Sequence, residues 1–397
     1  VNVSEQKITL DERVSQSQRV LIISDAAPHR NGVGAYYADL LEEISGHVGK
    51  IEMVSPEIVG ERWLGGWTLP LPGDATQKVC FPNAFELQKK LRNFQPTVVV
   101  IPTPGLFGVL GAVLSKRMNI PVIVGFHTWF EKLAHLYWNK VQGGLTKTYF
   151  EMVNKTLFKL ADKVLANSSE MVSIAKDNGA EQVELMGTPL SQTLLECDIS
   201  SAPKRVKKVL FVGRLAAEKN IESIIEASRS CDDIQFTIAG DGPMKESLTV
   251  QAAGCTNIRF LGWVARNEII QLIDDHDVLV LPSKVESFGT VAMEAMVRQR
   301  LVIVSNACGI IEWEDLRDGL KVIDPDKNLA LTLRECQALS EFELFKFCHL
   351  ARKVSLEHVK WNRELWLASF NSCNLNAEQT NVQVERLSAR LLKSVRG

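Results

Sequence analysis

The stretch DVLVLPSKVESFGTVAMEAM, residues 277–296, decides the fold. It opens with a short apolar run, Asp277 to Leu281, that Pro282 stops. A run this short, bounded by turn residues, reads as a buried strand. Glu286 follows in a loop, and Phe288-Gly289-Thr290 begin a helix that carries Glu294 in its first turns. Strand, loop and helix in this order form half of a parallel β/α unit. Gly289 lets another backbone or a ligand approach closely, and the amides of a helix start suit an anion. Glu286 is placed to accept hydrogen bonds from a sugar ring, and Glu294 from two hydroxyls of a ribose. Acidic residues also favour helix N-termini for their own sake, which leaves a purely structural reading open.

Upstream, VLFVGRLAAEKN (residues 209–220) repeats the pattern. A buried strand ends at Gly213, and Arg214 and Lys219 follow. Two cations just past the carboxyl end of a strand suit a phosphorylated ligand. Taken alone they read equally well as surface charges on a solvated loop. The runs IQFTIAG, NIRFLG, LVIVSN and LKVID complete an alternating series in this half.

The first half alternates in the same way. RVLIISD (19–25), KIEMVS, TVVVIP, PVIVGF and KVLAN read as strands, with helical patterns such as AYYADLLEEI and FELQKKLRNF between them. Thr97 to Ser115 is uncharged and nearly long enough to span a bilayer, but Pro102 and Pro104 interrupt it. It reads as a strand over Val98 to Ile101 and a helix from about Leu106. The expected organisation is a flexible tail (1–17), a Rossmann-like acceptor domain (18–190), a polar linker (191–206) and a second Rossmann-like domain (207–370). A C-terminal helix (371–397) is a candidate to pack back on the first domain. The fold class is α/β, two parallel-sheet domains facing a central cleft.

Composition narrows the function. In 397 residues, 45 Lys and Arg nearly balance 47 Asp and Glu, which excludes a strongly basic nucleic-acid coat. The eight cysteines form no C-x-x-C pair and no zinc-like spacing, so dispersed thiols in a reducing cytosol are expected. The N-terminal residues lack an apolar signal core. Asp324-Pro325-Asp326 has the letters of a metal-binding D-x-D but lies past the last strand and reads as a turn. No metal site and no cofactor are expected.

The order FVGRL-x-x-EK, then AGDGP (239–243), then E-S-F-G-x-x-x-x-E resembles the second domain of the retaining glycosyltransferases called group 1, whose architecture is the GT-B fold. The resemblance covers roughly residues 19 to 370. It implies that Arg214 and Lys219 hold the diphosphate of a nucleotide sugar, with Gly213 at the strand end. It further implies that Glu286 and the backbone of Phe288 and Gly289, with Thr290 at the helix start, hold the transferred sugar. Glu294 would take the ribose, and backbone groups around Val264 in LGWVARNE the base. In the first domain, the glycine-rich HRNGVGAYY, with Gly32 and Gly34, would reach the phosphates. His127 in GFHTWF reads alone as a satisfied structural histidine; the resemblance brings it out at the cleft, near the bond that breaks.

Two departures bear on the sugar. Cys308-Gly309-Ile310-Ile311-Glu312 stands where many members have Gly-Gly-x-Pro-Glu, and Asn31 where many have glycine. The turn DGLKVIDPD is also shortened.

The acceptor is sought in Trp129–Lys163, which holds six lysines against three acids together with seven aromatic residues. Lys155, Lys159 and Lys163 recur every fourth residue as a helical stripe, and Phe150, Val153, Leu157 and Leu160 mark an apolar face. That combination suits an anionic membrane surface, or a helix packed on its own sheet. HTWFEKLAHLYW (127–138) is similar to the corresponding stretch of group members that glycosylate lipids. The resulting expectation is transfer of a hexose-type sugar, with retention, from a nucleotide diphosphate sugar (UDP-linked) to a membrane lipid such as diacylglycerol. The protein would be cytoplasmic, on the inner face of the plasma membrane. A surface-polysaccharide or soluble acceptor, a nucleotide-sugar epimerase, a phosphorylase and a non-catalytic nucleotide-sugar-binding subunit stand as alternatives.

Overall fold

The computed structural model describes residues 16–26, 32–55, 65–71, 74–127, 140–324 and 327–394. Residues 1–15 of the expected tail, Asn31, the aromatic stretch from Trp129 to Trp138, and Pro325-Asp326 therefore lie outside the described residues. The chain divides into two compact units, one formed by Leu190–Trp361 and the other by Ile8–Pro189 with Asn362–Gly397.

The N-terminal unit contains β1 (Arg19–Ile23), β2 (Lys50–Val54), an antiparallel hairpin of β3 (Gly65–Leu71) and β4 (Asp74–Pro82), and then β5 (Val98–Ile101), β6 (Val122–Phe126), β7 (Lys163–Ala166) and β8 (Val183–Leu185). Apart from the hairpin these strands form one parallel sheet in the order β2-β1-β5-β6-β7-β8. Every residue of β5, β6 and β7 is buried, which is why β5 and β6 read as unbroken apolar runs rather than alternating ones. The segment Thr97 to Ser115 resolves into β5 and the helix Leu106–Arg117. Among the described residues no helix is long and apolar enough to cross a membrane.

The lysine stripe is corrected. The helix runs Lys140–Leu160, and Lys163 lies in β7, buried, with its ammonium 2.9 Å from Glu184. Asp162 ends the helical path: its carboxylate accepts from the Val122 amide at 2.8 Å and from Lys116 at 2.9 Å. The apolar face is spoken for as well. Leu157 and Phe158 sit in the core of this unit, with Val153 and Leu160 packed against it. Lys155 and Lys159 remain exposed.

The C-terminal unit contains β9 (Lys208–Val212), β10 (Gln235–Ala239), β11 (Ile258–Gly262), β12 (Val278–Leu281), β13 (Leu301–Val304) and β14 (Lys321–Val322). All are parallel, in the order β11-β10-β9-β12-β13-β14. The order reverses between β9 and β12. In open α/β sheets that reversal opens a crevice outside the strand ends where ligands sit. The C-terminal helix expected over residues 371–397 is the end of a single helix, Glu341–Ser394.

Candidate functional site

The residues that follow β9 and β12 meet at this reversal. After β9, Gly213 and Arg214 lead into a 3-10 turn, Ala217–Lys219. That turn is fastened to the segment after β12. Glu218 O accepts the Lys284 amide at 2.7 Å, and Asn220 Nδ2 donates to Pro282 O at 3.1 Å. The fastening brings Lys219 Nζ to 2.5 Å from Glu286 Oε2, with both side chains largely buried. Burial opposes the Lys219 charge, but Glu286 and then Glu218 outweigh it, and the ammonium is held above its ordinary pKa. Two residues assigned to phosphate and to sugar are thus in direct contact.

Glu286 is itself held through its backbone. It forms a parallel bridge with Cys308, and its carbonyl accepts the Gly309 amide at 2.9 Å. The Phe288 carbonyl accepts the Ile310 amide at 3.0 Å and the Cys308 thiol at 3.2 Å. Gly289 then turns the chain into the helix Thr290–Val297 with φ of 97°, a conformation natural to glycine. As the N-cap, Gly289 contributes no side-chain hydrogen bond to this helix start.

Glu294 lies one turn into that helix, half-buried. Burial raises its pKa, and Arg266 opposes the rise. Val264 precedes the helix Arg266–Asp274, so Arg266 at its first position belongs to the proposed base and ribose region. The sequence reading passed over it, although it stands only two residues beyond Val264. Also unforeseen is the aromatic backing of Phe288. Its ring lies 5.8 Å from that of His358, which meets Trp313 edge-on at 4.6 Å. His358 is buried and its pKa is pushed down to about 3.

In the N-terminal unit, Gly32 and Gly34 open the helix Gly32–Ile44. His127 directly follows β6. It is buried, and its Nε2 is 2.9 Å from the Tyr37 hydroxyl. Its carbonyl accepts from Asn167 Nδ2 at 3.2 Å, and burial drives its pKa down to about 3. Asp25, two residues beyond β1, also went unread. Its carboxylate accepts from Thr103 Oγ1 at 2.9 Å and from the amides of Phe107 and Gly108 at 2.9 and 3.0 Å. It therefore caps the helix that follows β5.

Known proteins agree with this layout. Residues 197–333 match the family model described as glycosyl transferases group 1, and residues 30–187 the model described as glycosyltransferase family 4. The chain is 25% identical over 275 residues to sulfoquinovosyl transferase SQD2 of Arabidopsis thaliana, covering 65% of this chain and 52% of that protein. It is 26% identical over 238 residues to alpha-D-kanosaminyltransferase of Streptomyces kanamyceticus, covering 53% and 59%. The matched regions thus span little more than half the length of these relatives. The crystal structure of HepE from Anabaena, with UDP and glucose, superposes with a TM-score of 0.64 at 16% identity, covering 88% of this chain and 98% of that one. With both halves matched in order and both sheets reproduced, the chain belongs to the group 1, family 4 glycosyltransferases and has the GT-B fold.

Proposed function

We propose that the chain is an enzyme that moves a hexose-type sugar from a UDP-linked donor, with retention at the anomeric carbon, to a membrane lipid such as diacylglycerol. The observation that carries the donor half is the Lys219–Glu286 contact where the order of the C-terminal sheet reverses, beside the helix that Gly289 opens. One side of this cluster offers cations and helix amides to a diphosphate. The other offers a carboxylate to sugar hydroxyls. The solved relative with UDP and glucose supports the choice of base and sugar class.

In this reading Arg214 and Lys219 take the diphosphate, and the helix start at Gly289 and Thr290 faces the departing charge. The bond from the anomeric carbon to the phosphate oxygen breaks, leaving an oxocarbenium-like centre. The acceptor hydroxyl attacks the same face, and its proton passes to the leaving phosphate oxygen. Glu286 positions the sugar and does not attack. Glu294, with Arg266 beside it, takes the ribose, and the backbone around Val264 the base. Gly32 and Gly34 reach the phosphates, and His127 serves the sugar. Two cations and a helix start supply the electrostatic stabilisation that a divalent ion supplies elsewhere.

The lipid acceptor rests on HTWFEKLAHLYW and on the exposed Lys155 and Lys159. In this reading the protein works at the cytoplasmic face of the plasma membrane. The test is to incubate the protein with labelled UDP- and GDP-sugars and a lipid extract, then to partition the products. Label in the organic phase, absent with Glu286→Ala, is expected. Label that stays in water as a new glycoside keeps the transferase and removes the lipid. Epimerised donor without acceptor, or UDP binding with no turnover, overturns the transferase.

A further inference from the structure

The placement of His127 raises a question that sequence spacing does not answer: which ring nitrogen carries its proton. Tyr37 settles it. This tyrosine is fully buried, and its hydroxyl lies 2.9 Å from His127 Nε2. The neighbouring Tyr36 is occupied elsewhere. Its hydroxyl donates to Gly187 O at 3.0 Å and accepts from Trp366 Nε1 at 3.1 Å. Among the described residues, His127 Nε2 is the acceptor within reach of the Tyr37 proton. A buried hydroxyl that accepted from an Nε2–H would leave its own proton without a partner, which costs more than the bond gains. The arrangement that pairs this hydroxyl among the described residues has Tyr37 donating, Nε2 accepting and the ring proton on Nδ1.

The strand beneath is shaped for this hydroxyl. Gly125 lies two residues before His127 in β6, and a Cβ there would fall 1.8 Å from the Tyr37 oxygen and 3.1 Å from His127 Nε2. A glycine in the middle of a buried strand gives up packing, and here the space is taken by the hydroxyl. The imidazole is further fixed by its edge-on contact with Tyr36, ring centres 4.4 Å apart, and by the Asn167 bond to its carbonyl.

We propose that Tyr37 is a positioning residue that holds His127 as the Nδ1–H tautomer, so that His127 serves the reaction as a fixed hydrogen-bond donor through Nδ1 and not as a proton acceptor. The functional part of this statement rests on the glycosyltransferase reading; the tautomer itself does not. Burial, which keeps the ring uncharged, agrees with it.

Two measurements test it. The first is a two-bond proton–nitrogen correlation spectrum of the full chain labelled at histidine nitrogens, with His127 assigned by its loss in His127→Gln. The expected wild-type pattern has Nδ1 protonated and Nε2 unprotonated, with Nε2–H signal emerging in Tyr37→Phe. A wild-type spectrum with Nε2 protonated overturns the proposal whatever the activity. The second compares sugar transfer by His127→Asn and His127→Gln. The amide nitrogen of asparagine falls near Nδ1, and that of glutamine near Nε2. His127→Asn is expected to keep a kcat about tenfold above His127→Gln, and Tyr37→Phe to lower kcat about tenfold with little change in donor KM, the loss of one hydrogen bond. Equal losses for Asn and Gln overturn the donor role. Absence of transfer by the wild type sinks the enzymatic reading instead, and leaves the spectrum to judge Tyr37.

Discussion

Glu43 sits on the helix Gly32–Ile44 in a place where an ionised acid weakens the fold. Its side chain is 4% exposed, both carboxylate oxygens lack a hydrogen-bond partner, and Arg363 Nη1 stands 3.8 Å away, too far for a hydrogen bond. Burial raises its pKa from 4.5 to about 7; Arg363 offsets part of this and the nearby Asp39 adds to it. The consequence for stability has a definite sign. Below pH 4.5 both folded and unfolded chains carry the proton, and Glu43 contributes nothing. As pH rises from 4.5 to about 7 the unfolded chain releases its proton while the folded one keeps it, so stability falls. Above pH 7 the loss is complete, at about 3 kcal/mol for a rise of this size. Glu43→Gln keeps the shape and removes the titration. Urea unfolding followed by circular dichroism at pH 5, 6, 7 and 8 then compares the two proteins. All other groups titrate in both and cancel. The advantage of Glu43→Gln should grow by about 2 to 3 kcal/mol between pH 5 and pH 8. A difference that stays flat across this range would refute the reasoning, because it would mean that Glu43 ionises as easily folded as unfolded.

Three other substitutions probe the two units. Lys219→Met removes the cation that Glu286 holds in place; UDP affinity should fall by about tenfold or more in calorimetry, the weight of a charge-assisted phosphate contact. Asp25→Ala leaves the Phe107 and Gly108 amides and the Thr103 hydroxyl without their acceptor; thermal unfolding should show a loss of about 2 kcal/mol, that of a helix cap with orphaned donors. Gly125→Ala drives a methyl group into the Tyr37 oxygen. Overpacking of this kind costs about 1 to 3 kcal/mol, and adding Tyr37→Phe should recover part of it, whereas additive losses would mean that the two residues do not meet as described.

The C-terminal sheet was readable because its strands are short apolar runs ending at Gly, Pro, Asn or Asp, and each of the six appears where such a run stands. The residues proposed for the site have local addresses of the same kind: Lys219 lies in the turn after β9, Glu286 in the loop after β12, and Gly289 and Glu294 at the start of and within the helix that follows. The β3–β4 hairpin was not readable, because Pro70, Pro72 and Gly73 punctuate it like a loop. Lys163 was misread because its spacing from Lys159 continues a helical period past the point where Asp162 turns to bind Val122 and Lys116. Periodicity records which residues share a face only while the helix lasts. Tyr37 with His127, and Phe288 with His358, are pairings across 90 and 70 positions of chain. Nothing local announces them, and only the folded sheets bring them together.

The unusual turn Cys308-Gly309-Ile310-Ile311 gains a physical meaning from this division between local and long-range contacts. It meets Glu286 and Phe288 mainly through main-chain bonds: the Gly309 amide to Glu286, the Ile310 amide to Phe288, and the Cys308 bridge. Main-chain bonds persist when side chains change. The carboxylate at Glu286 and its contact with Lys219 can thus be kept while the side chains at positions 308 and 311 change. Cys308 fills space directly under the helix start, where a Cβ on Gly289 would fall 2.9 Å from its sulfur. Burial pushes the Cys308 thiol well above its ordinary pKa, so it acts there as a small apolar filler and not as a nucleophile. The departure from the glycine-rich turn therefore changes side chains beside Glu286 and Phe288 and leaves the main-chain bonds that hold them in place.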